Sequence, residues 1–275
     1  MFNYPTYSLN SVAPEIKDLQ RVLNETLQLD LLADGHLGKI TQANLKLYQS
    51  KNKIVENDKF GACYGPETQK LVIPYAHERF LQQDHVIQIA NLMKLEIPIV
   101  KAVVEVESKQ FGFLNDGFPV ILFERHLFYR FMEKKFGVAK ADQLFKLNPN
   151  ICNNSPGGYS GGSREKDRFY AALKINEEAA IYSTSFGLFQ ILGMNFKNAG
   201  SKDIYSFFER MKESELEQLL AFMHFVMNDK NMYSALQRKD WTTFARRYNG
   251  PGYATAHSVP YDIRLANAYQ KHLKK

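Results

Sequence analysis

The stretch Pro98-Ile-Val-Lys-Ala-Val-Val-Glu-Val-Glu-Ser108 constrains this chain more than any other. Proline is tolerated in the first turn of a helix, where its missing N–H has no intrahelical partner to lose. From there Val100, Val104 and Glu107 fall at i, i+4 and i+7, and Val103 lies four residues before Glu107. The spacing predicts a helix over 98–108 with Glu107 on its apolar stripe. Glu105 lies about 200° further round, one turn after Lys101, and reads as a surface ion-pair partner of that lysine. A carboxylate on an apolar face is poorly hydrated, so its pKa rises, and a raised carboxyl pKa suits a general acid near neutral pH. The bland alternative is a helix-end Glu whose head reaches water.

The chain has 275 residues, enough for one large domain or a large and a small one. Hydrophobic residues at 45% and charged residues at 23% are the balance of a globular protein rather than a disordered one. No apolar run approaches the roughly 20 residues of a membrane span. Residues 1–7 lack the basic and apolar regions of a signal peptide, which predicts synthesis in a cytoplasm and delivery by a separate factor. Cys63 and Cys152 fit neither a disulfide framework nor a zinc site and read as free thiols. The net charge of +6 favours polyanionic partners, but no Lys/Arg run with interleaved aromatics points to nucleic acid.

A first helix is predicted from Glu15 to about Leu27, with Ile16, Leu19 and Leu27 on its apolar stripe. Asp34-Gly35-His-Leu-Gly38-Lys-Ile-Thr41 then leads into a second helix, with Thr41 placed to cap it. A looser copy follows, in which Gly65 repeats Gly38 and Thr68 repeats Thr41 at the same spacing. This doubled turn-plus-helix unit resembles the small three-helix peptidoglycan-binding domain of many cell-wall hydrolases. The resemblance covers residues 12–73 and implies wall binding through Asp34, Gly35, Gly38, Thr41, Gly65 and Thr68. The second copy lacks the Asp-Gly start. Ile73-Pro-Tyr-Ala-His-Glu78 reads as a linker, dividing the chain into residues 1–75 and 76–275.

In the second part, residues 79–95 and Arg125–Phe136 read as helices. Phe111–Glu124 reads as a hairpin around Asn115-Asp116-Gly117, with Val120–Phe123 a buried strand. Residues 148–163 form a long loop with Tyr159 between two Gly-Gly pairs, and a loop of that length in a compact domain is usually functional. Arg164–Glu178 reads as one helix, 183–193 as a turn entering another, 203–236 as two helices, and Tyr261–Lys274 as a last basic helix. The fold class is therefore mostly α with one small hairpin.

Glu107-Ser108, Ser185-Phe-Gly-Leu-Phe-Gln190 and Tyr248-Asn249-Gly250 each place a polar residue where an apolar helix meets a Gly-rich turn. In that order they resemble the signature segments of the lysozyme-like superfamily. The match is closer to the N-acetylmuramidase family of phage endolysins, carried by Val106–Ser108, Gly112–Leu114, Asp116–Glu124, Gly157–Gly162, Ser185–Ile191 and Tyr248–Tyr253. The resemblance covers about residues 90–273. It implies a lysozyme-like catalytic domain that cuts the β-1,4 bond between N-acetylmuramic acid and N-acetylglucosamine. It also implies a sugar cleft formed by Ser185, Gln190, Tyr248 and Asn249. Glycoside cleavage uses a protonated carboxyl and often a second carboxylate. Glu107 is the acid candidate. Glu124 is the favoured second carboxylate, with the turn residue Asp116 as the alternative. Tyr159 is a candidate for stacking on a sugar face.

No cofactor or metal is called for, since general acid chemistry suffices. The seven His and two Cys show no zinc spacing, and there is no Gly-x-Ser-x-Gly elbow or phosphate-binding loop. The expected partner is peptidoglycan, without nucleic acid or membrane insertion, and the expected state is a monomer. The rival readings are a lytic transglycosylase on the same fold and a non-catalytic wall-binding phage structural protein.

Overall fold

The computed structural model describes residues 4–107, 111–254 and 258–274. The chain divides into two compact units, one of residues 1–80 with Asn115–Phe118 and one of 81–114 with 119–275.

The first unit holds three helices, α1 (Pro14–Leu27), α2 (Lys39–Lys51) and α3 (Pro66–Arg79). Ile16, Leu19, Val22 and Leu23 of α1 are fully buried and meet Leu45 of α2 and Val72 of α3. The doubled sequence unit is a doubled hydrogen-bond unit. The Gln20 amide donates to Thr41 Oγ1 (3.2 Å), Asp34 Oδ1 (2.9 Å) and His36 O (3.1 Å), and accepts from Gly35 N (2.8 Å). Gln49 repeats this by donating to Thr68 Oγ1 (2.9 Å) and Cys63 O (2.9 Å) while accepting from Gly61 N (2.8 Å). Gly35 and Gly61 both sit at positive φ, 79° and 72°, which glycine adopts without strain. Gly61 is thus the counterpart of Gly35 that the sequence reading lacked.

Thr41 and Thr68 do not cap their helices. Gly38 and Gly65 hold the cap positions, and each threonine lies one turn inside, bonded to a glutamine. The expected linker at 73–78 lies within α3. Pro74 forfeits a helical hydrogen bond there. The helix is held through it because Ala76 is buried, Tyr75 Oη donates to Glu25 Oε2 (2.7 Å) and Arg79 Nε lies 3.2 Å from the same oxygen.

The second unit begins with α4 (Gln83–Leu92), shorter than expected, and α5 (Ile97–Glu107). β1 (Ile121–Phe123) and α6 (Arg125–Phe136) follow, then α7 (Val138–Leu147), α8 (Arg164–Ile175) and α9 (Glu177–Tyr182). β2 (Thr184–Phe186) and β3 (Ile191–Leu192) complete a three-stranded antiparallel sheet of order β1-β2-β3. The chain ends with α10 (Ile204–Glu213), α11 (Glu215–Asn228), α12 (Lys230–Gln237), α13 (Trp241–Asn249) and α14 (Tyr261–Leu273). No helix among the described residues is long and apolar enough to cross a membrane.

Three further differences separate the structure from the sequence reading. β1 pairs with β2, with Leu122 opposite Ser185, and Phe113 and Pro119 form only an isolated bridge across the Asp116-Gly117 turn. Residues 164–178 break at Asn176, whose side chain accepts from Ala179 N (2.8 Å) and starts α9 afresh. Residues 203–236 hold three helices because Ser214 and Asp229 each cap a new start. The turn after β3 brings Gly193 against the end of α9. A Cβ there would lie 1.9 Å from Ile181 O. Gly193→Ala is therefore expected to destabilise the protein by about 2–3 kcal/mol or more, read as a lower urea midpoint. An unchanged midpoint would show that this junction yields.

Candidate active site

Glu107 is the last residue of α5. Val100 and Val103, seven and four residues earlier, are buried, so the apolar stripe runs down to the carboxyl as the spacing predicts. Burial strips water from this carboxyl and pushes its pKa up to about 7, outweighing a hydrogen bond from Tyr261 and the charge of Arg264, both of which favour the anion. Tyr261 Oη donates to Glu107 Oε1 from the first residue of α14. Ser108, the motif partner of Glu107, lies outside the described residues.

Glu105 faces elsewhere. Its partner is not Lys101: Lys271 Nζ of α14 donates to both carboxylate oxygens at 2.9 Å, and His272 Nε2 stands 2.8 Å from Oε2. The reason is packing, since α5 lies along α14 and the two charged edges meet.

An aromatic wall rises behind Glu107. The Tyr261 ring lies 6.1 Å from Tyr248 and 6.4 Å from Phe244, and Tyr248 stands edge-on to Phe222 at 5.3 Å. Tyr248 Oη donates to Phe189 O (2.9 Å). Burial, and then the Glu107 charge, raises both phenols well above their ordinary pKa, so both remain protonated donors. Phe189 belongs to the β2–β3 turn, where Gly187 and Gln190 have φ of 74° and 48°. Gln190 Nε2 donates to Gly187 O (2.8 Å) and Val120 O (3.2 Å), so this amide closes its own turn. Ser185 sits mid-strand between Leu122 and Leu192, and Asn249 is exposed at the end of α13.

Glu124 follows β1 and opens α6. Its N–H donates to Ser183 O (2.8 Å), and its carboxylate accepts from Tyr159 Oη at 3.1 and 2.9 Å. His126 Nδ1 lies 3.2 Å from Oε2 without the alignment of a hydrogen bond. Asp116 groups with the first unit and accepts from Phe118 N (3.1 Å) in its turn. The Cys152 thiol is buried and pushed up to about 11 by that burial, with Asp142 adding to it, which disfavours a nucleophilic thiolate.

Several positioning residues escaped the sequence reading. Glu165 of α8 is buried and accepts from Ser160 N, from Gly161 N (3.2 Å) and from Arg168 Nη1 (2.7 Å). Arg168 in turn donates to Phe123 O (3.1 Å) and Asn150 O (2.9 Å). This pair ties the Gly-rich loop to β1 and so sets Tyr159 against Glu124. Glu215 and Gln218, one turn apart on α11, hold the glycine motifs. Glu215 accepts from Gly112 N (2.7 Å) and Gln218 from Leu188 N (2.7 Å). Cβ atoms at Gly112 and Gly187 would lie 2.2 and 2.4 Å from Gln218, which is why both motifs carry glycine. An i, i+3 pair of polar residues on each helix was the available signal, and it is too common to stand out.

The site divides into a Glu107 centre backed by Tyr261 and Tyr248, and a Glu124 centre fixed by Tyr159. The β2–β3 turn touches the first through Phe189, and the β1–β2 pairing carries the second. No curated protein matches the chain. Among solved structures it matches the crystal structure of Burkholderia AP3 phage endolysin with 34% sequence identity and a TM-score of 0.67, over 98% of this chain and 100% of that one. The family model for N-acetylmuramidase matches residues 96–273, which run from the start of α5 to the end of α14 and take in both centres. With that much of the chain matched, and with a relative 34% identical covered along its whole length, the protein belongs to the N-acetylmuramidase family of glycoside hydrolases.

Proposed function

We propose that this protein is an endolysin that hydrolyses the β-1,4 bond between N-acetylmuramic acid and N-acetylglucosamine in peptidoglycan, with Glu107 as the general acid. One observation carries the reading: a mostly buried carboxyl with a pKa of about 7, at the end of an apolar helix and bonded by a phenol that stays protonated. Such a group holds its proton near neutral pH and can deliver it to the leaving oxygen. Glu124 is the second carboxylate. Tyr159 holds it in place, and its charge stabilises the oxocarbenium-like transition state. Mass spectrometry of the digest tests the reaction type. Reducing-end muropeptides are the expected products. Products with 1,6-anhydro ends would make the protein a lytic transglycosylase, and no soluble fragments would make it a wall-binding protein.

The first unit serves to bind the wall. Tethering raises the local concentration of the catalytic unit at its substrate. Removing residues 12–73 should therefore slow lysis of intact walls much more than cleavage of short soluble glycans. Equal losses on both substrates would refute a targeting role.

A further inference from the structure

A groove of about 470 Å³ is lined by Glu105 and Val106 of α5, by Ser258, and by Arg264, Asn267 and Lys271 of α14, and Arg264 links it to the Glu107 centre through its charge. Arg264 lies one turn beyond Tyr261, with its guanidinium carbon 5.3 Å from that ring's centroid. Its Nε is buried and has no hydrogen-bond partner among the described residues. A buried, unpaired guanidinium N–H is costly, and such atoms are nearly always matched by a partner in native proteins. Lys271 is matched already, because both Glu105 oxygens accept from it. Arg264 faces Glu107, but a general acid is neutral when it acts, so at that moment the guanidinium has no counter-charge from it.

We infer that this groove is a carboxylate-binding subsite with Arg264 as its anion-binding group, and that it receives the carboxylate carried by the muramic acid residue or its stem peptide. The inference rests on the muramidase reading. The chemistry fits, since a guanidinium pairs with a carboxylate through parallel N–H donors. The Asn267 amide and Ser258 hydroxyl can bond the neighbouring polar groups of a glycopeptide. The substrate carries such charge in each muramyl unit: the single lactyl carboxyl when no peptide is attached, or the free carboxyls of the peptide when one is.

Three soluble glycan substrates test this with the full chain: strands bearing stem peptides, strands stripped by an amidase, and stripped strands whose carboxyls have been converted to neutral amides. The wild type should cleave the charged strands with kcat/KM about tenfold or more above the amidated ones, the scale of one hydrogen bond to a charged group. A preference for stem-bearing strands over stripped ones would assign the peptide carboxylate, the reverse preference would assign the lactyl carboxylate, which is free only in stripped strands, and equal rates would show that the subsite takes either. Arg264→Gln should erase the difference between charged and amidated strands, and Arg264→Lys should keep part of it. If Arg264→Gln slows all three strands by one factor, Arg264 acts only through Glu107 and the subsite is refuted. Wild-type cleavage of amidated strands at the full rate refutes it equally. Failure to cleave any strand would overturn the muramidase reading itself, and the subsite with it.

Discussion

Glu107→Gln is expected to lower glycan cleavage by at least about 10²- to 10⁴-fold, the usual contribution of a general acid. The amide keeps the shape of the side chain but has no proton to pass to the leaving oxygen. Glu105→Gln, two residues away, should remain active. It loses an exposed pair with Lys271 of at most about 1 kcal/mol. The pH profile adds a second reading. With Glu107 titrating at about 7, wild-type activity should fall on the alkaline side of that value, and any residual activity of Glu107→Gln should lack this limb. Stability should also fall with rising pH, over a lower window. The folded carboxyl binds its proton more tightly than the ordinary group near 4.5, so wild-type stability falls as pH rises from about 4.5 to about 7, by on the order of 3 kcal/mol, and levels off above. Glu107→Gln should be flat across that window and the more stable protein above it. A dead Glu105→Gln beside a live Glu107→Gln would overturn the assignment.

The phase of α5 was legible because helical periodicity is local. Val100, Val103 and Glu107 share a face whatever packs against them, and the structure buries that face. What packs there was not legible. Tyr261 lies 154 positions from Glu107, and Lys271 lies 166 positions from Glu105. No periodicity links positions so far apart, so the reading paired Glu105 with the lysine one turn away. The sheet was missed for the same reason. Three-residue strands are too short to show alternation, and β1 finds its partner some sixty residues on, so the nearby Asp116-Gly117 turn drew the pairing to itself. The doubled N-terminal unit was legible as a repeat of Gly-x-x-Thr. Gln20 and Gln49 belong to the same sequence pattern, but their part as its hydrogen-bond hubs, each tied to a threonine distant in sequence, was not legible. Tyr159 stood out by its glycines, but the carboxylate that holds its loop did not.

That carboxylate carries the other large expected effect. Glu165 and Arg168 have side chains only 1% and 6% exposed, with Glu165 Oε2 and Arg168 Nη1 2.7 Å apart. Arg168→Met is expected to destabilise the protein by about 3–5 kcal/mol, because it leaves a buried carboxylate without its counter-charge and strips donors from Phe123 O and Asn150 O. For a unit of this size that is a drop in Tm on the order of 10 °C. The double variant Glu165→Gln/Arg168→Met should recover part of the loss, since removing both charges costs less than removing one. Activity supplies an independent measure. Glu165 fixes Ser160 and Gly161 beside Tyr159, so a loosened loop should carry Tyr159 away from Glu124. Measured well below its Tm, Arg168→Met should therefore lose activity, and Tyr159→Phe combined with it should lose little more, because both changes release the same carboxylate. Full activity in Arg168→Met at low temperature, with Tyr159→Phe alone strongly impaired, would show that the loop holds Tyr159 without the buried pair.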